Sequence, residues 1–140
     1  MEKWLLYALI SMVFAGMTSV VAKMGLAGIG AELGLAIRTC FVFAFVMMFA
    51  AVTVPASSVA NLSANNYFWL AVSGVTTAAS WVFYYKALKI GDVALVALID
   101  KGSVLIAILL AWLVLKEQIT LRTLAGAAMM VGGLLLVAKK

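Results

Sequence analysis

Long apolar runs alternate with short polar clusters along this chain. The apolar runs fill residues 4–23, 32–54, 67–88, 92–115 and 119–138. Each is close to the roughly 20 residues that an α-helix needs to cross the hydrocarbon core of a bilayer. The separators are short. Gly25, Gly28 and Gly30 make a tight turn after the first run, and Pro55 stops the second. Ala56–Asn66, with Ser57, Ser58, Asn61, Ser63, Asn65 and Asn66, reads as the one clear loop. Lys89-Ile90-Gly91 closes the third run, and Asp92 stands where a helix N-cap is wanted. Lys116-Glu117-Gln118 is the last turn, and Ile119 or Thr120 opens the fifth run. Trp4, Tyr7, Tyr67, Trp69, Tyr84, Tyr85 and Trp112 lie towards run ends, as interfacial aromatics do. The pattern predicts an all-α integral membrane protein: one domain over 1–140, built as a bundle of five transmembrane helices. The first run is read as a retained span, because it is too long for a signal peptide and lacks a clear cleavage site.

An odd number of spans puts the two termini on opposite sides of the membrane. Lys3, Lys116 and Arg122 fall on the N-terminal side. Lys89, Lys139 and Lys140 fall on the C-terminal side, with Lys23 and Lys86 just inside it. The basic bias slightly favours a cytoplasmic C-terminus. Two readings stay open: one fixed orientation, or dual topology with copies inserted both ways.

Composition narrows the function classes. The 140 residues are 67% hydrophobic and 11% charged, against about 45–50% apolar and about 25% charged in soluble domains. Such a chain cannot cover a water-facing surface, so a soluble enzyme, a nucleic-acid reader and a disordered tail are excluded. The net charge of +5 marks helix ends and loops and forms no basic face for nucleic acid. Cys40 is the single cysteine and there is no histidine. An internal disulfide, a thiolate metal cluster and the usual neutral-pH base are therefore missing. No phosphate loop, nucleophile elbow or metal motif is present, which rules out primary active transport by this chain alone and implies no cofactor.

The informative residues are the charges that fall inside the runs. Arg38 lies two turns into the second. Asp100 and Lys101 lie about 12 Å along the fourth, at 1.5 Å per residue. Lys23 and Lys86 sit just inside the C-terminal-side ends of theirs. A lone charge at mid-bilayer costs about 2.5–3.5 kcal/mol on insertion scales, so such residues face a bundle interior or a cavity. Lys23 and Lys86 have stems long enough to snorkel instead. Asp100 and Lys101 are adjacent, so they point about 100° apart and are not expected to face each other; Asp100 is expected to pair with Arg38 or Lys86 from a neighbouring helix. That pair would be structural, the rival to a substrate site. Small polar stripes support a cavity: Ser11, Ala15, Ser19 and Lys23; Ser73, Thr77, Ser80 and Tyr84; Asp100, Ser103, Ala107 and Ala111. Ala128 and Gly132 give the fifth helix a small-residue packing face. The set Lys23, Arg38, Lys86 and Lys101 against Asp92 and Asp100 is net positive. The candidate substrate-binding residues are therefore Arg38, Lys101, Asp100, Lys86, Lys23, Ser19, Ser80, Tyr84 and Ser103, for an anionic or zwitterionic small molecule.

Several local patterns occur together in a known order. Phe14–Lys23 is a run of small residues ending in lysine, followed by Ala36-Ile37-Arg38-Thr39. Ser73–Trp81, Tyr84–Leu88, Gly91-Asp92-Val93-Ala94 and Ile99–Ser103 come next, and Leu115-Lys116-Glu117 with Ile119-Thr120 and Gly126 closes the series. Over essentially its whole length the chain resembles the EamA-type domain of the drug/metabolite transporter superfamily, in a short, single-repeat form. The resemblance implies a five-helix repeat in a multi-pass inner-membrane transporter working by alternating access. The family usually carries two such repeats in inverted orientation, so a single repeat implies a homodimer, antiparallel in form. It differs from four-helix small multidrug exporters, which carry a glutamate in the first helix; here the only charge of the first run is Lys23. The alternative reading is a helical accessory or assembly subunit without a substrate of its own.

Overall fold

The structure, a computed structural model, describes residues 3–138, and those residues are all-helical with no strand. Seven helices follow in order: α1 Lys3–Gly25, α2 Ala31–Thr53, α3 Ala56–Ala60, α4 Ala64–Ile90, α5 Val93–Asp100, α6 Ser103–Val114 and α7 Leu121–Ala138. The flanking Lys139 and Lys140 lie outside the described residues.

By length and composition, three segments could cross a membrane: Lys3–Gly25, Ala31–Thr53 and Val93–Val114. α4 has the length, at 27 residues, but carries Asn65, Asn66, Ser73, Thr76, Thr77, Ser80, Lys86 and Lys89. Leu121–Val137 is apolar but shorter. Large apolar side chains point outward on these helices, Phe41, Phe45 and Phe49 of α2 among them. Apolar surface on this scale is a liability in water and matches lipid.

Two boundaries differ from the sequence expectation. The loop 56–66 contains the short helix α3, and α4 begins three residues before Tyr67. The reason is local: Ser63 acts as a cap, its Oγ accepting the Asn66 N–H at 3.3 Å and its carbonyl accepting the Tyr67 N–H at 3.3 Å. Thr120 does the same for α7, where its Oγ1 accepts the Thr123 N–H at 3.2 Å. Asp92 occupies the N-cap position of α5 as expected, but its side chain makes no capping hydrogen bond. α6 stops at a left-handed turn, with Lys116 at φ 55° and the Glu117 N–H folded back onto the Ala111 carbonyl at 3.2 Å.

The fourth run is broken. It was expected as one helix, and it is divided at Lys101-Gly102 into α5 and α6. The Gly102 N–H bonds the Ile99 carbonyl at 2.9 Å, and Val104 and Leu105 bond back to Lys101 and Gly102. These three-residue closures tighten the chain where the α-helical ladder is interrupted.

The chain forms two compact units. One is Val20–Ile90; the other joins the chain up to Ser19 with the chain from Gly91 onward. In the second, α5 packs on α7. A Cβ added to Gly102 would lie 2.9 Å from the Ile99 carbonyl and 3.2 Å from Leu134 Cδ1. A Gly102→Val chain should therefore unfold at a lower temperature in detergent, by the roughly 1–3 kcal/mol typical of overpacking. Gly126→Ala, which meets nothing within 4 Å inside α7, should hold or raise the midpoint, since alanine is favoured over glycine in a helix by about 1 kcal/mol.

In the unit Val20–Ile90, α2 packs on α4. The pair is antiparallel: rising positions on α2 (Glu32, Arg38) meet falling positions on α4 (Lys86, Trp81). Its buried apolar residues are Leu26, Ala31, Tyr85 and Leu88. They gather where α1 ends, α2 begins and α4 ends. The turn between α1 and α2 makes this possible. Gly28 supplies the positive φ of 75°, and Gly34 leaves room for Leu26, whose Cδ2 an added Cβ would overlap.

Candidate functional site

The cations of the Val20–Ile90 unit are its most informative groups. At the end of a helix the last carbonyls have no intrahelical donor and carry partial negative charge. Two lysines meet this need reciprocally. Lys23, in the last turn of α1, donates its ammonium to the Leu88 carbonyl and, at 3.2 Å, to the Lys89 carbonyl at the end of α4. Lys89, in the last turn of α4, donates to the Leu26 carbonyl just past α1, at 2.8 Å. Each helix end is thus capped by a side chain from the other. Lys23, expected as a snorkelling or substrate-binding cation, is here a helix-capping group.

Lys86 is also matched. Its ammonium lies 3.4 Å from Glu32 Oε1 in the first turn of α2. The sequence reading counted Glu32 only as the start of a span, and it did not foresee that an antiparallel α2–α4 pair would set it beside Lys86. A shallow cleft opens along the same seam, lined by Ala31, Glu32, Leu35, Ala36 and Val82.

Arg38 is different. Glu32 is the only acidic residue between Val20 and Ile90, and it faces Lys86. The two α2 residues lie six positions apart, on different faces of the helix. Arg38 therefore has no carboxylate in its unit. Its guanidinium instead lies 4.3 Å from the Trp81 ring centroid and 5.9 Å from that of Tyr85. Tyr85 is only 3% exposed, and Tyr84 meets it edge-on at 6.4 Å between centroids. Aromatic faces attract a cation, by about 0.5–2 kcal/mol, but do not cancel its charge or accept its in-plane N–H bonds. Arg38 Nη1 accordingly is buried and has no hydrogen-bond partner. A buried donor in that state costs about 1–3 kcal/mol, and more when charged. Trp81 was not singled out as a candidate, and Tyr85 was read only as an interfacial aromatic. The available signal was their four-residue separation, which puts them on one face of α4.

The other unit holds the remaining charges. Lys101 Nζ lies 3.5 Å from Asp100 Oδ2. This corrects the expectation that the two adjacent residues could not face each other. The backbone keeps right-handed dihedrals through Lys101 and Gly102, so the offset of the Cα–Cβ bonds remains; the long lysine stem bends round it to bring the ammonium to the carboxylate. Ser103 opens α6 and is exposed, and Ser19 on α1 is buried. Ser80 on α4 is exposed and Tyr84 is half-buried.

Two threonine hydroxyls of α4 are turned back on their own backbone. Thr77 and Thr76 donate to the Ser73 carbonyl at 2.8 and 2.9 Å. Thr18, Thr39 and Thr53 bond the carbonyl four residues back at 2.8 Å. Such bonds satisfy a hydroxyl proton where no water is available, leaving the oxygen lone pairs as acceptors. No group of three or more histidine, cysteine or carboxylate side chains placed to hold a metal ion occurs among the described residues.

Comparison with known proteins adds to this geometry. Residues 2–139 match the EamA-like transporter family. A protein from Sinorhizobium sp, described as an uncharacterized transporter in the cobO 3' region, is 35% identical over 137 residues, covering 98% of this chain and 97% of its own. No solved structure matches the chain at a significant level.

Proposed function

The chain belongs to the EamA-like transporter family, and from that membership we propose that it carries an anionic or zwitterionic small molecule across the inner membrane by alternating access. Five spans are counted in this reading: α1, α2, α4, α5 with α6 as one interrupted span, and α7. Polar α4 would be acceptable as a span because its threonine hydroxyls bond their own backbone and its lysines lie in the last turns. The single repeat would act as an antiparallel homodimer, which gives the inverted pair of repeats that many transporters build into one chain.

One observation carries the choice of solute. Among the candidate cations, Lys23 is taken by carbonyls, Lys86 by Glu32 and Lys101 by Asp100. Arg38 keeps its charge and a buried, unpartnered N–H. An anionic group supplied by the solute would complete it. Asp100, paired within the interrupted span, would balance Lys101 or pass a proton.

Two measurements test the reading. Purified protein in proteoliposomes should take up organic anions or zwitterions in preference to lipophilic cations; preference for cations overturns the solute class. Cysteines replacing Lys3 and Lys140, each in a Cys40→Ala background, should both be labelled in part by an impermeant reagent in intact cells. Full labelling of one position and none of the other means one fixed orientation, and removes the antiparallel dimer.

A further inference from the structure

We propose that Trp81, seconded by Tyr85, is the specificity-determining residue of the transport site: its ring lies over the Arg38 guanidinium and offers no acceptor, so that the buried Nη1 stays charged and without a protein partner until a carboxylate of the solute reaches it. The inference rests on the reading that Arg38 meets the anion, and goes further by assigning a role to residues that do not themselves carry charge.

An arginine that is half-buried with Nη1 fully covered needs a stabilising contact, and two kinds are available to it. A carboxylate neutralises the charge and occupies the N–H edge, leaving nothing for a ligand. An aromatic face stabilises the cation while presenting no acceptor to that edge. The Val20–Ile90 unit uses both, on different cations. Lys86 has the carboxylate of Glu32 at 3.4 Å. Arg38 has the Trp81 ring at 4.3 Å and the Tyr85 ring at 5.9 Å, and Nη1 is buried without a partner. The geometry separates the two: Tyr85 is fixed by burial, Trp81 is half-buried beside it, and both lie one turn apart on α4. The guanidinium carbon lies over the indole, whose ring takes up none of the in-plane N–H bonds, and a planar carboxylate can accept two such bonds together. Lysine in place of arginine would keep the charge and lose both the stacking plane and the paired donors.

The test uses a chain in which Trp4, Trp69 and Trp112 are replaced by phenylalanine, so that Trp81 is the only fluorophore, with benzoate as the probe. Benzoate should change the Trp81 emission in a saturable way, and Arg38→Ala in the same background should abolish the change. In proteoliposomes, Trp81→Leu in the otherwise unaltered chain should lower benzoate uptake at least fivefold and reduce the preference for benzoate over a cationic probe such as tetramethylammonium. Trp81→Phe, which keeps an aromatic face, should retain most of both. If Trp81→Leu misfolds, the emission measurement and Trp81→Phe still decide the matter. If Arg38→Ala stops benzoate uptake while Trp81→Leu leaves uptake and preference unchanged, the ring is packing only and this inference is overturned while the Arg38 site stands. If Arg38→Ala leaves emission and uptake unchanged, the Arg38 site itself falls and the inference falls with it.

Discussion

An Arg38→Ala chain reconstituted in proteoliposomes is expected to transport the proposed anionic solute roughly 10- to 150-fold more slowly than the unaltered chain. The range follows from the loss of hydrogen bonds to a charged group, worth about 1.5–3 kcal/mol, at about 1.4 kcal/mol per factor of ten. The effect is large because no other cation in the unit can substitute: Lys23 and Lys89 hold helix-end carbonyls and Lys86 holds Glu32. Folding should not suffer comparably. Removing Arg38 also removes a buried unpartnered donor, which offsets the lost contact with Trp81. The unfolding midpoint in detergent should therefore stay close to that of the parent while transport collapses. Unchanged uptake, or a fall in uptake matched by a fall in the midpoint, would count against a solute-binding arginine.

The second large effect has the opposite signature. Lys23→Ala combined with Lys89→Ala removes both reciprocal caps, leaving the Leu26, Leu88 and Lys89 carbonyls without these donors. Each charge-assisted bond contributes about 1.5–3 kcal/mol, so the double variant should lose several kcal/mol of stability and unfold well below the parent in detergent. Methionine at the same two positions keeps much of the stem and should be nearly as destabilising, since the lost element is the ammonium. Protein that survives at low temperature should still prefer anions. Loss of anion preference at full stability would instead return Lys23 to the substrate site, where the sequence reading had placed it.

The contrast shows what spacing along a chain can and cannot deliver. Helix positions were legible because a bilayer demands runs of fixed length, and α1, α2 and α7 begin and end within two or three residues of the apolar runs. Arg38 was legible as special because a mid-run arginine is costly wherever it points. Partners were harder. Glu32 and Lys86 are separated by more than fifty positions, and nothing in either run states that α2 and α4 lie antiparallel with this register. The same ignorance hid Trp81. The Asp100–Lys101 pair was misjudged for another reason: periodicity fixes where the Cα–Cβ bonds point, not where a long lysine stem can bend. Nor did hydropathy show that the run divides at Lys101-Gly102. Membership of the EamA-like transporter family settles the class of protein. The choice of solute depends on side-chain partners that only the fold assembles.

The reciprocal lysine caps also set an order on biogenesis. Lys89 and the Leu26 carbonyl are 63 positions apart. At about 5–20 residues per second, a ribosome makes the second partner roughly 3–13 s after the first. During that interval the Lys23 ammonium and the Leu26 carbonyl lack the partners they have in the folded chain. The end of α1 is therefore completed only when the end of α4 arrives beside it.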